Sequence, residues 1–203
     1  MFCSWLNLTG DTMSVWDELH AVYTQPWRAY HNLAHIDDCL LMLSLYFDLD
    51  EESIADEIEA AIWFHDAIYE VGATDNEERS AQLARKCLTS LGAPADFIER
   101  VAELIITTDH QRPARDAAAR LLCDIDLSIL GRHADVYDRY AGQIAVEVGL
   151  PEDEFMPHRQ TFLRNMLSKE HIFHTDRFRQ EYEIAARANM RRELEDWAKK
   201  PAQ

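Results

Sequence analysis

The sequence is poor in the residues that break helices. Six glycines and six prolines are spread over 203 residues, with no run of either. That leaves no flexible or proline-rich linker. The four cysteines, Cys3, Cys39, Cys87 and Cys123, form no CxxC pair. This argues against a thiolate zinc site or a disulfide frame and for reduced thiols packed in a core. Basic residues are scarce too. Twenty Lys and Arg face 37 Asp and Glu, a formal charge of −17. Nucleic-acid polymers bind through basic patches, so they are not expected partners. A small anion needs only a local positive centre, such as a metal, and stays open. No apolar run reaches the length of a membrane span, so a membrane is not an expected partner. The opening "MFCSWLNLTGDTMSVW" lacks the basic start and the apolar stretch of a signal peptide. The expected location is the cytoplasm.

What is present is helical periodicity. "MSVWDELHAVY" sets Trp16, Leu19 and Tyr23 on one face, and Pro26 ends that segment. A second helix is predicted over residues 30–47 and a third over 52–69, with acids favourably placed in its first turn. "VGATDNEERS" reads as a loop. Further helices are predicted over 77–91, stopped by Gly92, and from Pro94 to Thr108. The short "AAARLLCDIDLSIL" is stopped by Gly131, residues 134–148 are stopped by Gly149, and the last two helices span 151–167 and 176–199. No alternating β-branched run has strand length. The expectation is an all-α fold, a compact bundle of about eight to nine helices, forming one domain over 1–203. Its core spans about 12–148, and the helices from 151 to 199 pack on it. The long last helix leaves a homodimer open.

Three places put polar groups where a core is expected. In "YHNLAH", His31 and His35 are four residues apart and would share a helix face; alone, such a pair is a weak signal. In "AIWFHDAIYE", His65 and Asp66 follow Trp63 and Phe64. An ionised aspartate buried there needs a cation or an arginine beside it. In "LLCDIDLSILG", Asp124 and Asp126 interrupt an apolar helix, and their spacing lets only one of them point into the core.

Taken in order, His35, then His65–Asp66, then Asp126 resemble the H…HD…D signature of the HD-domain superfamily of metal-dependent phosphohydrolases. "YHNLAH" also looks like the HNxxH of the related cyclic nucleotide phosphodiesterases, and "TTDH" and "DIDLS" look more loosely like their later segments. The chain is most similar to a bacterial group of predicted HD-superfamily phosphohydrolases. It matches their "YHNxxHI", "WFHDAIY", "NEERSA" and "DxDLSILG" from about Tyr30 to the last helix, where "EYEIAARANM" also looks similar. The resemblance implies an HD-like helical fold and metal ligands His35, His65, Asp66 and Asp126. It implies that His31 protonates the leaving oxygen. The phosphodiesterases' second histidine is replaced by Tyr69. For the extra histidines of two-metal members, His110 is the better placed candidate and His133 the second.

Such a mixed nitrogen and oxygen set suits Mn, Fe, Co, Ni, Zn or Mg. The cation would act as a Lewis acid on a phosphoryl oxygen and lower the pKa of a water nucleophile. His31 would serve as general acid. Glu77, after the HD segment, is a candidate to orient the water; the competing reading is an acid-rich helix start capped by Asn76. Arg79, His110 and Arg159 are candidates to hold substrate, Arg79 and Arg159 through a phosphate. The expected function is hydrolysis of a small phosphoester, a nucleotide first among them. The alternatives are an HD-type di-iron oxygenase and a non-catalytic nucleotide-binding sensor. Trp63, Phe64 and Tyr69 read as core residues.

Overall fold

The computed structural model describes residues 10–48 and 52–199. Among them are nine α-helices and no strand, as the all-α reading expects. Helices α1 (Thr12–Tyr23), α2 (Leu33–Tyr46), α3 (Glu52–Phe64), α4 (Asn76–Ser90), α5 (Ala95–Thr107) and α6 (Ala117–Leu127) are followed by a 3-10 turn, Ser128–Gly131. Then come α7 (Ala134–Val148), α8 (Glu152–Ser168) and α9 (Asp176–Ala198). The chain divides into two compact units, Met1–Ile125 and Asp126–Gln203, with the division inside α6. None of the described helices is long and apolar enough to cross a membrane.

In the first unit the starts of α1 and α2 follow from capping. The Asp11 carboxylate accepts from the N–H groups of Met13 and Ser14, and Asn32 Oδ1 accepts from Ala34 N–H. At the end of α4, Gly92 takes φ +76°, a left-handed conformation that a Cβ resists, and the helix stops there. Helix α3 packs against α2, α4 and α5, and α4 packs against α5. The C-terminal half of α3 is buried on several sides: Ile58, Ala61, Ile62 and Phe64 have no exposed surface. On α4 the small Ala81 and Ala84 are fully buried, which lets its backbone approach its neighbours closely.

Two helix ends differ from the sequence reading. Helix α2 begins at Leu33, not at residue 30, because Asn32 caps it. Helix α3 ends at Phe64, not at residue 69, although Ala67 and Ile68 continue the apolar period. His65 and Asp66 therefore lie in the turn just past α3, and His31 lies just before α2.

Cys39, Cys87 and Cys123 are buried free thiols; Cys3 lies outside the described residues. Burial first, and then the Glu18 carboxylate beside it, push the Cys87 thiol from 9.0 up to about 11. The folded chain thus holds this proton more tightly than the unfolded one. The stability tied to it is intact below about pH 9 and is lost as the pH rises toward 11. Urea midpoints measured from pH 8 to 11 are expected to fall more steeply for the native chain than for Cys87→Ala; parallel curves would refute this.

In the second unit, α9 packs against the 3-10 turn, α7 and α8. A Cβ on Gly131 would lie 2.6 Å from the Tyr182 Cβ, so only glycine permits this approach. Asn189 then donates to the carbonyls of Leu130 and Arg132, both at 2.9 Å. Gly149, at φ +64°, ends α7, and Glu152, Asp153 and Glu154 fill the first turn of α8.

Candidate metal centre

The His65 side chain is 2% exposed. Its Nδ1 lies 2.9 Å from the Ile62 carbonyl. A carbonyl only accepts, so Nδ1 carries a proton, and Nε2 is the nitrogen that becomes a ligand when its own proton gives way to a metal. That Nε2 lies 2.9 Å from Asp66 Oδ2 and 3.2 Å from His35 Nε2. His35 Nε2 is in turn 3.5 Å from Asp66 Oδ2. Helix α6 brings in Asp126: donor atoms of His35, His65 and Asp126 all lie within 4.8 Å of one another. Among the described residues this is a group that could hold a metal ion. Donors about 2.1 Å from one cation stand roughly 3–4 Å apart, so the set fits with small side-chain movements. Of the two aspartates on α6, Asp124 is the one with no exposed surface.

Electron-rich atoms this close need a positive charge among them, whether a proton or a metal. Asp66 registers it. Burial alone would raise its carboxyl, but His65 and His31, with hydrogen bonds from His35 and His65, outweigh burial and hold it well below the usual carboxylate range. The neighbouring Tyr23 is held far above its usual value, by burial first and then by Asp66. It stays a neutral phenol and donates to the Trp63 carbonyl at 3.0 Å.

The turn that carries His65 and Asp66 is pinned by residues with no evident site signature in the sequence. Arg28 is 5% exposed. Its Nη1 donates to the carbonyls of His31 (2.9 Å) and Asp66 (2.8 Å), and its Nη2 donates to Ala67 O (3.0 Å). One guanidinium thus ties the His31 segment to the His65–Asp66 turn and satisfies carbonyls of the turn that follows α3. Ser80 Oγ accepts from Ile68 N–H and donates to its carbonyl, while Asn76 does the same for Glu70. Asn76 is therefore not the cap of α4 but its first residue, following Asp75. Arg28→Ala would strand buried carbonyls and should cost about 3 kcal/mol or more in a urea titration. Arg28→Lys should recover only part of it, because an ammonium cannot present the planar fork. Full recovery by lysine would contradict the clamp.

Of the remaining candidates, the His31 ring lies 4.3 Å from the Tyr69 ring and 5.9 Å from the His35 ring, centroid to centroid. The pair is thus adjacent without sharing a helix face. Tyr69 in turn stacks on Trp27 at 6.2 Å. Glu77, in the first turn of α4, has its carboxyl pushed up by burial first and also by Asp66 and Asp109, so it shares their electrostatic neighbourhood. Arg79 is paired with Glu70 at 2.8 Å on the surface. His110 follows α5 at φ +54°, an uncommon conformation for a residue with a Cβ. His133, 85% exposed, faces Asp135. Arg159 belongs to the second unit, where Glu193 and Tyr140 engage its guanidinium.

The signals for the missed residues are faint: an arginine three residues before His31, and Asn76 and Ser80 four apart on one helix face. In comparisons with known proteins, no family model, no curated protein and no solved structure matches this chain.

Proposed function

We propose that the chain is a metal-dependent phosphohydrolase acting on a small phosphoester of the nucleotide class. The observation that carries this reading is the convergence of His35, His65 and Asp126, with the Asp66 carboxylate beside both imidazoles. These four would hold one divalent cation. When bound, it would supply Lewis-acid polarisation of a phosphoryl oxygen and a lowered pKa for the attacking water. The Ile62 carbonyl keeps the proton on His65 Nδ1 and so keeps Nε2 free to ligate. His31, held against Tyr69, would give its proton to the leaving oxygen. Glu77, its carboxyl raised above its ordinary value by burial, would orient water and accept a proton from it. The rigid turn beneath, clamped by Arg28, would keep His31 in register with the ligands.

The test is release of phosphate or nucleoside from a nucleotide panel, cyclic esters included. Metal-stripped protein is supplied in turn with Mn, Fe, Co, Ni, Zn or Mg. Turnover should need the metal, and Asp66→Ala should lower it about 1,000-fold, equivalent to about 4 kcal/mol of transition-state stabilisation. Full activity in Asp66→Ala, or turnover without metal, would overturn the reading.

A further inference from the structure

Gly142 sits in the middle of α7, where glycine weakens a helix relative to almost any other residue. A Cβ built there meets no atom within 4 Å, so no neighbour demands glycine. Gly142 is exposed, at the edge of an open cleft of about 390 Å³ within the second unit, bounded by residues of α7, α8 and α9 and by Leu150 between α7 and α8. That volume falls in the range of small-molecule pockets. Gly142 and Ala145 give it a low floor, and Phe155 and Trp197 stand in its wall, edge to face at 6.1 Å.

The polar side chains in the lining are both carboxylates, Glu152 and Glu193, and no lysine or arginine lines it. The Glu193 side chain is 9% exposed and is fixed from behind by Arg159, at 3.0 and 3.2 Å, and by the Tyr137 hydroxyl. A carboxylate has about four acceptor positions, and these bonds use three. An anion entering here would meet two carboxylates. A cation would meet the Glu152 carboxylate, the remaining acceptor position of Glu193, whose charge Arg159 offsets, and the aromatic rings.

We propose that this cleft is a binding site for a small organic cation with an apolar body, such as an aryl-alkyl ammonium. The proposal stands apart from the phosphohydrolase reading, since none of its residues belongs to the metal centre. The probe is phenethylammonium, with 2-phenylethanol and 3-phenylpropionate as neutral and anionic counterparts, titrated into the full chain at neutral pH and followed by NMR shifts. The ammonium should bind, the alcohol more weakly, and the carboxylate not at all. Gly142→Leu, which fills the floor, should weaken the ammonium at least ~10-fold, with a melting temperature that holds or rises because leucine favours helix. Glu152→Gln, an exposed substitution, should weaken it severalfold. Asp66→Ala should leave it unchanged.

Equal binding to native chain and Gly142→Leu would overturn the site. Equal binding of ammonium and carboxylate, or no effect of Glu152→Gln, would overturn the charge selection. No binding by any probe would also overturn the proposal. So would a change of oligomeric state in Gly142→Leu without probe binding, in favour of a second copy of the chain as occupant.

Discussion

Alanine at Asp126 is expected to weaken divalent-cation binding by more than about 100-fold. Losing a group that merely orients a ligand already costs about 10- to 100-fold, and Asp126 offers a donor atom itself. It also supplies negative charge to a pair of imidazoles that, as neutral ligands, bring none. Asp126→Asn keeps an oxygen donor but not the charge, so it should fall between the native chain and alanine. The metal-free fold should respond in the opposite sense. Asp126 is the penultimate residue of α6, whose last turn has no basic residue, and a negative charge at a helix C-terminus is unfavourable. The melting temperature of metal-stripped Asp126→Ala should therefore hold or rise. Competition against a metal-binding dye, with a thermal melt beside it, reads both effects. Undiminished affinity would remove Asp126 from the centre. Lost affinity together with a collapsed melt would mean that Asp126 is structural.

Arg159→Ala is expected to be among the most damaging single substitutions in the second unit. The side chains of Arg159 and Glu193 are 5% and 9% exposed. The guanidinium donates to both Glu193 oxygens and to the Tyr140 hydroxyl. Burial would lower the Arg159 pKa, but Tyr140 and Glu193 outweigh it and hold the charge firmly in place. Burial and Glu193 likewise keep the Tyr137 phenol neutral. Removing one member of a buried pair leaves the other charge uncompensated and costs about 3–5 kcal/mol, against a total stability of about 5–15 kcal/mol. The double variant Arg159→Met with Glu193→Leu should regain most of the loss, since the penalty lies in the orphaned charge rather than in the pair. Urea titrations of the singles and the double measure the coupling directly. A double variant no more stable than Arg159→Ala would show that the packing of the arginine stem, not the charge, matters.

Local chemistry was legible in the sequence. Gly92 and Gly149 end their helices because a left-handed residue stops the backbone ladder whatever surrounds it. Pro151 and the acids after it open α8 for an equally local reason. The fully apolar end of α3 was legible as buried, and Trp63 and Phe64 are buried there. The residue types of the candidate centre were legible too, as an ordered His, His-Asp and Asp set.

The exact end of α3 was not legible. Apolar period and propensity both continue through Ala67 and Ile68, yet the helix stops at Phe64, and the carbonyls of Asp66 and Ala67 turn to Arg28, 38 and 39 residues earlier in the chain. Arg159 shows the same limit. An arginine is chemically equal to holding a phosphate or a carboxylate, and its partner stands 34 residues away.

The sequence by itself determined an all-helical chain, most of its helix ends, and the donor groups of a candidate metal centre, because capping, periodicity and side-chain chemistry act within a few residues. The tertiary structure alone decided that His35, His65 and Asp126 meet, that Arg28 clamps the turn beneath them, and that Arg159 is spent on Glu193. Those outcomes depend on where distant segments pass one another, and no local preference encodes that path.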